Sequence, residues 1–411
     1  MSVPLDRLYH YLADIVNHDL IIYRWAPHGS RKLEDLNQLT IYFGRQTVTD
    51  APMICHDQEP LIWNYYTREQ IKTQTKNNYL NQNSATRIEG YNPDWLTDDA
   101  VLEYTADQYL RSLTACINQY DLTLLLHSEQ NSANVEVFAK HGFVPVYYWS
   151  HAVISQDWFR YAEHDPSLGF SWHKIKKDFL IYNRAWSGTR EYRLFFTELL
   201  CNHGLQTCAN TSFSITDNQV DYRNHAFVNN NLRITSVDLH TYLPSNTTDS
   251  SYSADYNSTD YSESAIEIVL ETVFDDQRWH LTEKTLRPIA CGKPFILAAT
   301  PGSLQYLRNY GFETFSDYIN ESYDSITEPH LRLQAIVKEM QRISQLDTST
   351  KQQLMIDLDR ICQHNRQHFF NKFFDQVIQE YKTNLDHAMT IMDQNRTGKH
   401  LRKIHEILLK K

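Results

Sequence analysis

The chain has 411 residues, a net charge of −11, 41% hydrophobic and 22% charged residues. That is the composition of an ordinary globular protein with enough chain for two cores of roughly 150–200 residues each. The acidic balance excludes a broad electrostatic grip on nucleic acid, though not a local basic cleft, and no apolar run approaches the roughly 20 residues of a membrane span.

The segment from Met1 to Val16 carries Asp6 and Arg7 among its apolar residues and so lacks a secretory apolar core. The six cysteines, Cys55, Cys116, Cys201, Cys208, Cys291 and Cys362, form no CxxC pair and no zinc spacing. They read as free thiols in a reducing cytoplasm, where the Asn-x-Ser/Thr sites at Asn246 and Asn257 carry no meaning.

Taken in chain order, Leu20 to Ala26 reads as a strand and PMICHDQEPL as a second strand ending at His56. Asp121 to Phe143 gives a strand, a polar turn and a helix closed by Gly142. The stretch VPVYYWSHAVIS reads as a further strand. A second series starts near residue 174, where KKDFLIYN is a strand, followed by a loop and a helix capped by Ser187 or Thr189. Residues Thr211 to Ser264, rich in Ser, Thr, Asn, Asp and Tyr, read as an ordered polar loop region beside a site. AIEIVLETVF is a strand, TEKTLRPIACG a helix ending near Gly292, PFILAA a strand, and TPGSLQYLRNYGF an N-capped helix ending at Gly311. From Leu331 through Ile378 and on to Leu408 apolar residues recur at helical spacing. The expected fold class is therefore α/β, with two Rossmann-like domains, 1–170 and 171–330, and C-terminal helices over 331–411 packing back across them.

Ligands of such sheets sit beyond the carboxyl ends of the strands. In the second series the stretch WHLTEKTLRPIACGKPFIL opens a helix with Thr282, Glu283 and Lys284. Thr282 suits a cap and Glu283 the positive helix terminus, whereas Lys284 fits there if it answers an anion such as a diphosphate. A capping pair on the surface and a ligand grip are the two readings of Glu283 and Lys284. No GxxxxGK[ST], GxGxxG, GxSxG or HExxH motif is present. The Asp357-Leu-Asp359 triplet falls in a helical tract and reads as a solvated face rather than a metal site.

The run LETVFDDQRWHLTEKTLRPIACGKPFIL resembles the donor-binding segment of the α-1,3-fucosyltransferase family, two-domain glycosyltransferases of the GT-B type. TEKT, GKPF and PGSLQYL are also similar to segments of phage-encoded glycosyltransferases. The likeness covers Glu267 to Phe312 and departs from the fucosyltransferase pattern at Thr285-Leu286-Arg287-Pro288, so it names no sugar. It implies that Glu283 holds the donor ribose and Lys284 the diphosphate, with Thr282 and Glu271 beside them. It also implies a diphosphate-binding arginine after the first strand of the second domain, Arg184 first and Arg190 second; Arg193 is a third candidate, whose other reading is a solvated helix-face arginine. Two cations around a leaving diphosphate would stabilise the charge that develops there, without a metal or any cofactor beyond the nucleotide-sugar co-substrate.

The first domain is expected to supply the acceptor side and a general base, for which Asp57, Glu59 and His56 are the candidates. His127 and Glu129 at a second strand end, and Trp149 and His151 at a third, form the remaining acceptor-side set. The expected activity is an inverting glycosyl transfer to a hydroxyl. The acceptor stays open between a hydroxymethylated pyrimidine in phage DNA, a saccharide and a protein side chain, and a non-catalytic nucleotide-binding protein is the alternative. The expected setting is cytoplasmic, in the host if the chain is phage-encoded, with no membrane partner and an open oligomeric state.

Overall fold

The computed structural model describes residues 123–140, 144–217, 220–236, 238–242 and 255–395, together with three strands at 20–24, 39–43 and 53–56 in backbone terms. The chain divides into two compact units, Met1–Ile154 with Val377–Lys411, and Ser155–Gln376.

In the first unit five short strands pair in parallel: β1 (Leu20–Arg24), β2 (Leu39–Phe43), β3 (Met53–His56), β4 (Thr123–His127) and β5 (Val144–Tyr147). Their order is β2-β1-β3-β4-β5. The chain runs outward from β1 in one direction and then in the other, so its topological switch point lies between β1 and β3. The register pairs Arg24 with His56 there. Helix α1 (Ala133–Lys140) follows β4, and α2 (Ser150–Trp158) follows β5.

VPVYYWSHAVIS is thus not one strand. β5 stops at Tyr147, and the carbonyl of Trp149 already accepts the amide of Ala152 as the first turn of α2 forms. Ala152, Val153 and Ile154 are buried on that helix. A short all-apolar run looks the same in a buried strand and a buried helix, which is why the pattern misled.

The second unit is built on a four-stranded parallel sheet of β6 (Lys177–Asn183), β7 (Ala209–Phe213), β10 (Ser264–Leu270) and β11 (Phe295–Ala298), in the order β11-β10-β6-β7. All seven residues of β10 are buried, as expected of a parallel strand covered on both faces. The same outward-and-back winding puts a second switch point between β6 and β10. A two-stranded antiparallel ribbon, β8 (Thr216–Asp217) with β9 (Val220–Asp221), follows β7. The helices are α3 (Tyr192–Asn202), α4 (Leu239–Tyr242), α5 (Ser258–Glu263), α6 (Glu283–Ala290), α7 (Ser303–Asn309), α8 (Pro329–Ser344) and α9 (Thr348–His368). A π-helical segment, Phe369–Phe373, leads into α10 (Phe374–Asn395). Asp357 and Asp359 lie within α9.

Three local expectations are corrected. Neither Ser187 nor Thr189 caps α3: a 3-10 turn, Gly188–Arg190, intervenes and Glu191 takes the cap position. The polar tract is not loop throughout: it holds the end of β7, the β8–β9 ribbon, α4 and α5, with Phe213 and Tyr261 buried. α7 ends at Asn309 and starts behind Gly302, whose φ of +82° excludes most side chains and whose missing Cβ makes room for the Trp279 ring.

Buried charges are spent on tying elements together. Arg332 of α8 donates to the carbonyls of Ile326, Thr327 and Phe274 and lies over the Phe274 ring. Lys293, just before β11, donates to the Ser264 carbonyl at 2.8 Å, and burial lowers its pKa from 10.5 to about 8. The folded state thus resists the lysine charge: the penalty is complete below pH 8 and fades as pH rises towards 10.5. Lys293→Met is therefore expected to stabilise the protein at pH 7 by about 2 kcal/mol, after allowing for the lost hydrogen bond. Urea unfolding should show that advantage vanish by pH 10.5. An advantage that did not change with pH would count against this origin. No described helix is long and apolar enough to cross a membrane.

Candidate functional site

At the switch point of the second unit, β6 ends at Asn183 and β10 at Leu270. Glu271, the next residue, is fully buried. Its carboxylate accepts from the amides of Thr272 (3.0 Å), Thr282 (2.9 Å) and Thr285 (3.2 Å), and from the hydroxyls of Thr282 (2.7 Å) and Thr285 (2.5 Å). A strand-end carboxylate therefore occupies the positive start of α6, in the place where a phosphate would otherwise fit. Thr282 is the N-cap, as its position in the sequence suggests, accepting weakly from the Lys284 amide at 3.4 Å.

Glu283 is buried and Lys284 half-buried, and they pair with each other at 2.6 Å. Lys284 Nζ also reaches the Thr282 hydroxyl at 3.3 Å. With the helix-start amides of Thr282 and Thr285 directed at Glu271, any anion held here meets side chains more than backbone.

The β6–α3 connection carries Arg184 and Arg190. Arg184 is half-buried, and burial, with Arg287 nearby, lowers its pKa from the usual value. Its guanidinium lies 5.6 Å from the Tyr182 ring. Arg190 donates to the Ser187 carbonyl at 3.3 Å, and Thr189 next to it donates to the Thr272 carbonyl at 2.8 Å, which brings this connection against the end of β10. Arg193 is buried and donates to the carbonyls of Ala185, Leu270 and Glu271, joining the two strand ends from beneath. Of the three arginines, Arg193 is thus the one committed to structure, buried rather than on a solvated helix face because its guanidinium satisfies strand-end carbonyls.

Behind the site runs a polar network that sequence reading missed. Arg287 of α6 pairs with Glu267 of β10 at 2.6 Å, both buried, and Tyr261 donates to Glu267 while accepting from Arg287. The Arg287 guanidinium sits 4.6 Å from the Tyr182 ring, and the Tyr182 hydroxyl donates to Asp260. Glu267 stands in a strand pattern and Arg287 in a helix pattern, 20 residues apart, so nothing local marks them as partners.

No family model, curated protein or solved structure matches the chain.

In the first unit, His127, Glu129, Trp149 and His151, expected on an acceptor side, lie at or just after the ends of the adjacent strands β4 and β5. His127 closes β4 beside Tyr147 of β5, with rings 5.8 Å apart, and the Tyr148 amide donates to the His127 carbonyl. Glu129 is buried and accepts from Ser132 at 2.6 Å. Trp149 lies in the β5–α2 connection and His151 in the first turn of α2, rather than at a strand end as expected, and the His151 ring meets the Ser150 hydroxyl at 3.4 Å. Burial lowers the His127 pKa to about 4 against an opposing hydrogen bond with the Glu129 backbone, so this imidazole is neutral at physiological pH. His56 is the last residue of β3, at the switch point of that sheet, while Asp57 and Glu59 lie outside the described residues.

Proposed function

We propose that the protein is a glycosyltransferase of the two-domain GT-B type, moving a sugar from a nucleotide donor to a hydroxyl acceptor by inverting displacement. The observation that carries this reading is the grouping of Arg184, Arg190 and the Thr282–Lys284 helix start at the carboxyl ends of neighbouring parallel strands β6 and β10. Open α/β sheets take ligands at such switch points. Cationic side chains there suit a diphosphate, whose charge grows as the glycosidic bond breaks. In this reading Lys284, Arg184 and Arg190 hold the diphosphate, Glu283 takes the ribose hydroxyls, and Glu271 supports them from behind. His56, Asp57 and Glu59 are the candidates for the base, with His127, Glu129, Trp149 and His151 on the acceptor side.

Lys284→Ala and Glu283→Ala are expected to abolish nucleotide-sugar binding with the fold retained. Calorimetry checks this, and unchanged affinity in both variants would sink the donor assignment. The acceptor follows from incubation with a nucleotide sugar and hydroxymethylcytosine DNA, read by nucleoside mass spectrometry, in parallel with saccharide and protein acceptors.

The mutual ion pair of Glu283 and Lys284 favours one second reading, a nucleotide-binding protein of this fold without turnover. It would bind nucleotide sugars yet show neither transfer nor slow donor hydrolysis.

A further inference from the structure

Beyond β7 the chain does not stay on its own side of the sheet. The segment His225–Asn229 returns across the β6–α3 connection, and the Asn229 side chain donates to Asp275 at 2.6 Å, just past β10. It therefore ties the β6–α3 connection and the start of α3 to the chain just past β10. Its middle is held by one buried carboxylate. Glu191 accepts the amides of Val228 (2.8 Å) and Asn229 (2.7 Å), and His225 Nε2 lies 3.2 Å from it. Burial works against the Glu191 charge, but His225 and the two amides outweigh it and hold the pKa below the usual carboxylate value. The His225 ring packs edge-on against Trp186 and Phe227, and Asp217 accepts the amides of Trp186 and Ser187, so strap and arginine-bearing connection form one rigid rim. At the top of this rim Val228 is 90% exposed, the most exposed large apolar residue described.

An isolated exposed valine is ordinary. A strap pinned by three hydrogen bonds to one buried acceptor, the residue that follows Arg190 in the chain, and presenting a single exposed apolar side chain there, is a built feature.

We propose that Glu191 is a positioning residue that fixes the strap, and that Val228 forms an apolar wall for the ring portion of a nucleotide whose phosphates meet Arg184, Arg190 and Lys284. This rests on the nucleotide-binding part of the proposed function. Pyrophosphate, which has no ring, separates the two.

The test measures dissociation constants of the diphosphates of uridine, guanosine, cytidine and adenosine, and of pyrophosphate, by calorimetry. Val228→Asn, a surface change that leaves the strap's hydrogen bonds in place, is expected to weaken the best nucleoside diphosphate about tenfold, the share of one apolar side chain, and to leave pyrophosphate unchanged. Glu191→Gln keeps the shape but sets an amide N–H₂ against backbone donors. It should speed hydrogen exchange at Val228 and Asn229 and weaken the nucleoside diphosphate more than pyrophosphate. Equal affinities in the unaltered protein and Val228→Asn, or equal losses for both ligands, overturn the strap's role and leave the functional reading standing. Absence of nucleotide binding in the unaltered protein overturns both.

Discussion

Replacing Arg287 by methionine is expected to destabilise the second unit by about 3–5 kcal/mol, a fall in Tm on the order of 10 °C for a unit of this size. Glu267 would be left as a fully buried carboxylate without its cation, and its remaining partner, the Tyr261 hydroxyl, does not neutralise it. Burial opposes the Arg287 charge, yet Glu267 and Tyr261 outweigh it and raise its pKa well above the ordinary value, so the guanidinium stays charged in the folded state. Removing all three polar groups together is a different matter. Glu267→Leu, Arg287→Met and Tyr261→Phe combined should recover most of the loss, since well-packed apolar replacements of buried ion pairs are often neutral or better. Urea and thermal unfolding of the single and combined variants check this. A cost below about 1 kcal/mol for Arg287→Met alone would mean that water reaches the pair.

The second large effect is expected at Glu271. Truncation to alanine leaves the amides of Thr282 and Thr285 and two threonine hydroxyls without their acceptor in the interior. Each such loss costs about 1–3 kcal/mol where no water replaces it, so roughly 4 kcal/mol in total is a conservative figure. Glu271→Gln keeps one acceptor oxygen and turns the other into a donor that faces donors, and should cost about half as much. Both variants also loosen the first turn of α6, on which Glu283 and Lys284 stand, so under the proposed function nucleotide binding should fall together with stability. Unfolding midpoints and calorimetric affinities provide the comparison. An alanine variant of wild-type stability would show that the carboxylate is dispensable to the fold, and would return Glu271 to the group available to a ligand.

Much of the candidate donor corner could be read from the chain. The apolar runs of β6, β10 and β11 are continuous because both faces of a parallel sheet are covered, and their ends locate Arg184 and Glu271 directly. Thr282 declares itself as a cap by its chemistry and position. Such signals are local: a period, a cap, a glycine that must take positive φ. Where signals were weaker the reading slipped, as at Val144–Ser155, in the polar tract that hides the end of β7, and in the cap of α3.

What the chain could not reveal by itself is how these residues are used. Glu283 and Lys284 pair with each other at a helix start whose amides are taken by Glu271, 11 residues before Thr282 and 14 before Thr285. That Arg193 serves structure while Arg184 and Arg190 edge the switch point depends on which carbonyls β10 brings beneath α3. The same holds for Glu191, whose meaning comes from a strap some 35 residues later in the chain. Composition and periodicity determine which segments become strands and helices, since burial of apolar faces is a local pattern. The partners of buried charges are determined only when the sheet order sets distant segments side by side, because electrostatic and hydrogen-bond satisfaction is a property of the assembled interior.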